Sequence, residues 1–229
     1  MPYRKARALS PPNRPDLVTP RGTTRLVVVA VVAANLAFGL LAAVFDYPDV
    51  LALPPADALT LAHERLAAVT VGFALLVAAT ALLAPVTLGL ARHAMDQWRR
   101  TATILGLAAA SVQVVGLARW VVLVPFLTPG QPADVESFAW ANHWLGAVLG
   151  EQLGYALTAA WTVALIAGLR AGLRSRAVVV GGLLCALCIA AGLLVPLGVP
   201  GADEVNFAGY LGWSIWLLVL AVRLIRRRS

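Results

Sequence analysis

Charge is scarce in this sequence. Asp, Glu, Lys and Arg make up 13% of its 229 residues, against 60% hydrophobic. Soluble domains carry about 25% charged and about 45–50% apolar residues. The shortage excludes an ordinary soluble domain, and the length leaves too little polar sequence for a second one. Histidine is nearly missing too. Three histidines are too few for a four-ligand di-haem helical cytochrome. The two cysteines, Cys185 and Cys188, both lie inside one apolar run. Two thiols make no disulfide framework, so the redox compartment stays unread. No G-x-S-x-G, H-E-x-x-H or phosphate-loop sequence occurs. Nothing points to a cofactor.

What is present is long apolar runs. Six lie at roughly Leu26–Phe45, Leu61–Ala91, Ala102–Leu127, Asn142–Leu169, Ala177–Val199 and Phe207–Ile225. Each reaches the ~20 residues a helix needs to cross ~30 Å of hydrocarbon. The runs are continuous, with no alternation of a barrel strand, so helix is the expected state. A signal peptide is the lesser reading of the first run, which is longer than a typical signal core. Residues 1–24 are basic and proline-containing and cannot bury enough apolar surface to fold alone. They are expected to form a disordered cytoplasmic tail before a six-helix transmembrane domain at 25–229. The fold class is thus an all-α integral membrane protein, with the lipid bilayer as its first partner.

The net charge of +7 does not indicate nucleic acid, because the basic residues sit at the ends of apolar runs. Arginines mark the tail, the second loop (Arg92, Arg99, Arg100), the fourth (Arg170, Arg174, Arg176) and the C-terminus (Arg223, Arg226, Arg227, Arg228). The odd loops carry Asp46, Asp49, Asp57, Asp134, Glu136, Asp203 and Glu204. The positive-inside rule then places both termini in the cytoplasm and the acidic loops outside. Two acidic loops also echo each other. Val122-Leu-Val-Pro-Phe-Leu-Thr-Pro-Gly130 matches Leu193-Leu-Val-Pro-Leu-Gly-Val-Pro-Gly201, and each is soon followed by Ala-Asp. The first loop gives a weaker echo in Pro55-Ala56-Asp57. Three tandem helical hairpins, inserted in one sense, would explain this. Pro and Gly simply ending helices at the interface would also explain it.

Two charges interrupt the apolar runs, and such charges are site candidates by default. Arg119 lies eight residues before Leu127, and Glu151 lies eight after His143. At 1.5 Å per residue both sit ~12 Å below the same interface. An Arg119–Glu151 ion pair is therefore expected. Gly146, Gly150 and Gly154, spaced by four, would let the two helices approach closely. On an α-helical wheel Glu151 falls beside that stripe, near Trp144, Ala147, Tyr155 and Thr158. The candidate ligand-binding set is Arg119, Trp120, Glu151, Tyr155, His143 and Trp144.

Other groups carry weaker signals. His63, Glu64 and His143 lie near the same interface and would make a metal site only if their helices meet. Interfacial polar groups are the plainer reading. Cys185-Ala-Leu-Cys188 spells C-x-x-C, but in mid-run rather than at an exposed helix N-terminus, so packing is expected rather than redox chemistry. Trp98, Trp140 and Trp144 suit interfacial belts. Trp120 and Trp213 lie deeper, beside an outer cavity or against neighbours.

Gly116-Leu-Ala-Arg119-Trp120-Val-Val-Leu-Val-Pro125, followed by Gly150-Glu151-Gln-Leu-Gly154-Tyr155, resembles the bacterial membrane family catalogued as domain of unknown function 4386. The resemblance covers the central hairpin and implies a six-helix protein of a bacterial inner or plasma membrane. It implies no activity. Two functional readings stand: small-molecule binding or transport through an outward-facing cavity around Arg119 and Glu151, or a non-catalytic partner subunit with a structural ion pair. A membrane enzyme using His63, Glu64 and His143 trails both.

Overall fold

The structure, a computed structural model, describes residues 20–169 and 175–226. Helix α1 is Pro20–Phe45, α2 is Pro55–Glu64, α3 is Leu66–Ala81 and α4 is Leu83–Ala91. Next come α5 (Asp96–Val122) and α6 (Pro132–Ala141). A π-helical segment, Asn142–Leu153, runs directly into α7 (Gly154–Leu169). Helices α8 (Arg176–Ala191) and α9 (Ala202–Arg226) close the chain. Among the described residues there is no strand. Six helical stretches are long and apolar enough to cross a membrane. This is a multi-pass membrane protein.

Proline explains most of the breaks. Pro85 lacks the N–H that would bond the Ala81 carbonyl, and α3 ends at Ala81, one residue before Leu82 separates it from α4. Pro125 and Pro196 sit in the short 3-10 turns Val124–Phe126 and Gly192–Leu197 that end α5 and α8. Pro20, Pro55 and Pro132 open α1, α2 and α6, where a missing N–H costs nothing. Pro20–Thr24, which composition assigns to the tail, are therefore the first turn of α1; residues 1–19 lie outside the described residues. The second apolar run is not one helix either. Arg65 leaves helical geometry and splits off α2, which carries His63 and Glu64.

The three acidic loops share a local plan. Each has a 3-10 turn (Asp49–Ala52, Val124–Phe126, Gly192–Leu197) and then a helix with Asp57, Asp134 or Asp203 in its first turn. A negative charge there favours the helix N-terminus. The two matching glycines, Gly130 and Gly201, both take left-handed backbone, φ 83° and 78°.

Each span packs on the next in sequence, and α9 returns to α1, so the six form a closed ring. Two cores fill it. One gathers Val27, Val86, Leu90, Trp161, Leu165, Trp216 and Leu220, mostly toward the arginine-bearing loops. The other gathers Leu41, Phe45, Phe73, Trp120, Val124 and Phe138, toward the acidic loops. Lipid tails are as apolar as leucine, so close contact rather than water exclusion holds such helices together. The cysteines belong to this packing. A Cβ on Gly209 would meet Cys188 Cβ at 2.8 Å, and one on Gly212 would meet Cys185 Sγ at 3.2 Å. Cys185 and Cys188 are the small residues that seat α8 on α9.

Candidate functional site

The glycine stripe lies where its spacing places it, against α5. A Cβ at Gly146 would come within 2.6 Å of Arg119 Nη2. One at Gly150 would come within 3.1 Å of Gly116 Cα, and one at Gly154 within 3.0 Å of Gln113 Cγ. Gly146, Gly150 and Gly154 thus face Arg119, Gly116 and Gln113 in antiparallel order. At Gly116 the two backbones touch, and no side chain fits between them.

That approach buries Arg119, which is 5% exposed. Its Nη1 donates to the Gly116 carbonyl, and its Nη2 donates to Asn142 Oδ1 at 2.9 Å. Its guanidinium carbon lies 5.3 Å from the Trp120 ring centre. Its Nε has no partner among the described residues. The expected Arg119–Glu151 ion pair is not formed. Among the described residues the one salt bridge is Arg99–Asp96, at 2.7 Å on the surface. Glu151 has neither an ion-pair nor a hydrogen-bond partner there. Asn142–Leu153 is wound as a π-helix, whose turns are wider than the α turns a wheel assumes, and Glu151 lines the cavity without pairing with Arg119.

Arg119 and Glu151 nevertheless line one cavity, of about 480 Å³. Helices α1, α3, α4, α5, α7 and α9 wall it, with the π-segment. Its walls include exposed Pro48, Asp49 and Asp203 at the acidic-loop end, and buried Val27, Val86 and Leu217 at the other. Thr80, Gln113, Tyr155, Thr158, Asn206 and Tyr210 add polar groups inside a mostly apolar wall. Gln113 Nε2 donates to Thr158 Oγ1 at 2.7 Å, and Asn206 Nδ2 donates to the Ile189 carbonyl at 2.6 Å. Tyr47 enters from the first loop, edge-on to Phe73 at 5.4 Å. Burial, then the negative charge of Glu151, push the Tyr47 phenol above its ordinary range, and Arg119 acts in the opposite sense. Tyr47 is therefore a neutral hydroxyl.

Of the candidate set, Arg119, Glu151 and Tyr155 come together at this cavity. Trp120 does not reach it. It is fully buried, stacked on Phe73 at 4.8 Å, with Phe45 and Phe138 edge-on at 5.1 and 5.5 Å. Such pairs are worth about 0.5–1.5 kcal/mol each, which makes Trp120 a core residue. His143 and Trp144 pack on each other at 4.9 Å on the outer face, and Trp144 is 49% exposed. Nor do His63, Glu64 and His143 meet. His63 Nδ1 lies 3.1 Å from the Leu59 carbonyl, Glu64 is exposed, and no group of three metal-ligating side chains exists among the described residues. Tyr47, Gln113, Asn206 and Tyr210 escape the sequence reading. Gln113 and Asn206 could have been flagged as polar residues in or beside apolar runs. The tyrosines carry no such mark.

No family model, no curated protein and no solved structure matches this chain.

Proposed function

We propose that this protein binds a small molecule in the cavity between its spans, and that the cavity opens outward from a bacterial inner or plasma membrane. One observation carries the reading. Arg119 and Glu151 line a common cavity of about 480 Å³ without pairing. That volume lies in the range of small-molecule sites, about 300–1,000 Å³. Charges held ~12 Å deep in an apolar bundle are costly. A carboxylate with no protein partner is supported there by what enters the cavity. In this reading the arginine-bearing loops and both termini are cytoplasmic, and the hairpins are tandem repeats. Single cysteines at Ser137 and Ser175 then label from opposite sides of the membrane.

A second reading rests on Arg119. Its bonds to Gly116 and Asn142 tie α5 to the π-segment. This makes it a clamp suited to a non-catalytic membrane subunit. The two readings part on Ala34, a cavity-wall residue of α1. The purified chain in nanodiscs is screened against chemically varied amphiphiles by melting temperature. Molecules that stabilise the native chain by mass action lose that effect in Ala34→Trp, whose indole occupies the cavity. Stabilisation that survives Ala34→Trp, or none across the set, contradicts the binding reading.

A further inference from the structure

We infer that the molecule the cavity takes is an organic cation, an ammonium or similar centre on an apolar body. This rests on the binding reading above and names its substrate class. The charged residues of the wall are Asp49, Arg119, Glu151 and Asp203. The wall thus holds one basic side chain against three acidic ones. The lone positive charge is already engaged, since two of the Arg119 nitrogens donate to Gly116 and Asn142. Glu151, by contrast, has no partner among the described residues.

The surroundings of Glu151 fit an ammonium. It lines the same cavity as Tyr47, Tyr155 and Tyr210. Tyr155 and Tyr210 are 5.9 Å apart, with rings tilted to each other. Aromatic rings lining one cavity with a carboxylate make a surface that attracts a desolvated cation. At the mouth, exposed Asp49 and Asp203 raise the local concentration of cations and repel anions. Between mouth and floor, Val31, Ala34, Phe38 and Leu117 offer hydrocarbon to an apolar body. For a bare inorganic ion, no three metal-ligating side chains converge among the described residues.

The test uses two probes of one shape and opposite charge, tetraphenylphosphonium and tetraphenylborate. Equilibrium dialysis measures their binding to the full chain in nanodiscs, with empty nanodiscs subtracted. Tetraphenylphosphonium is expected to bind saturably and tetraphenylborate not. Glu151→Gln, nearly isosteric, should weaken the cation by roughly tenfold or more, as loss of a desolvated charge contact does. Asp203→Asn should weaken it by about twofold through the field at the mouth. Asp57→Asn, in an acidic loop but off the cavity wall, should leave it unchanged. Melting curves establish that each variant is folded, and the exposed Asp203 provides a readout if Glu151→Gln is not. Saturable tetraphenylborate without tetraphenylphosphonium overturns the cation and leaves the binding reading standing. Saturable tetraphenylphosphonium that ignores both Glu151→Gln and Asp203→Asn places the cation elsewhere and also overturns the inference. If neither probe saturates the folded native chain, the organic-cation inference is overturned, and the amphiphile screen with Ala34→Trp decides the binding reading separately.

Discussion

Helix α7 and the π-segment before it belong to one span, yet they treat polar groups in opposite ways. In α7, Thr162 donates to the Thr158 carbonyl at 2.8 Å and accepts from Trp213 Nε1 at 2.9 Å. Thr158 accepts from Gln113. Trp161 is buried with its Nε1 unpartnered, the one loose end in that half. In the π-segment, Asn142 holds Arg119, two glycines touch α5, and Glu151 faces a cavity with no partner among the described residues. The α half pairs the hydroxyls of Thr158 and Thr162 and packs Trp161 and Leu165 into core. The π half leaves a charge open. A buried polar group without a partner costs about 1–3 kcal/mol. Under the proposed binding, the half left open is the half that receives the ligand.

The comparison can be broken where it is tightest. Gly116→Leu forces a side chain between two touching backbones and should cost at least about 3 kcal/mol, the upper end of overpacking. Loss of folded, monodisperse protein after extraction is the expected readout. A variant that folds normally would show that the π half is not packed as described.

Charge sharpens it next. Arg119→Leu removes the bonds to Gly116 and Asn142 and should cost about 2 kcal/mol, the range for bonds to a charged group. Glu151→Leu breaks no protein contact and should cost less than about 0.5 kcal/mol. Denaturant unfolding of the two variants checks this asymmetry. Equal costs, with strong coupling in the double variant, would mean that the two charges pair after all. An effect between those two belongs to the polar pairs of the α half. Trp213→Phe removes one neutral hydrogen bond to Thr162 and should cost about 1 kcal/mol in denaturant unfolding.

Much of the fold is legible in the sequence because a bilayer imposes simple arithmetic. Apolar length gives six spans, and prolines 85, 125 and 196 mark where helices break. Counting residues from the loops sets Arg119 and Glu151 at one depth, and the glycine spacing finds the close face of the span. The π-segment is not legible. No residue type demands it, and it arises from fitting a glycine row against Gly116 and Arg119 on another helix. Within that segment Trp144 is exposed and Glu151 makes no ion pair with Arg119. The cavity's other members come mainly from spans 1, 2, 3 and 6 and from the first loop, so no local pattern joins Tyr47, Gln113 and Tyr210 to Glu151. Trp120 misleads by proximity. Its neighbour in sequence faces the cavity, and it faces the aromatic core.

Accessibility tests the contrast between the two halves most directly. With Cys185 and Cys188 replaced by alanine, a single cysteine is placed at Glu151 or at Thr162. An impermeant, cationic methanethiosulfonate is then added to one side of sealed proteoliposomes at a time. The account predicts that Glu151→Cys is modified from the side bearing the acidic loops and that Thr162→Cys is modified from neither. Modification of Thr162→Cys together with Glu151→Cys, or protection of Glu151→Cys from both sides, would contradict it.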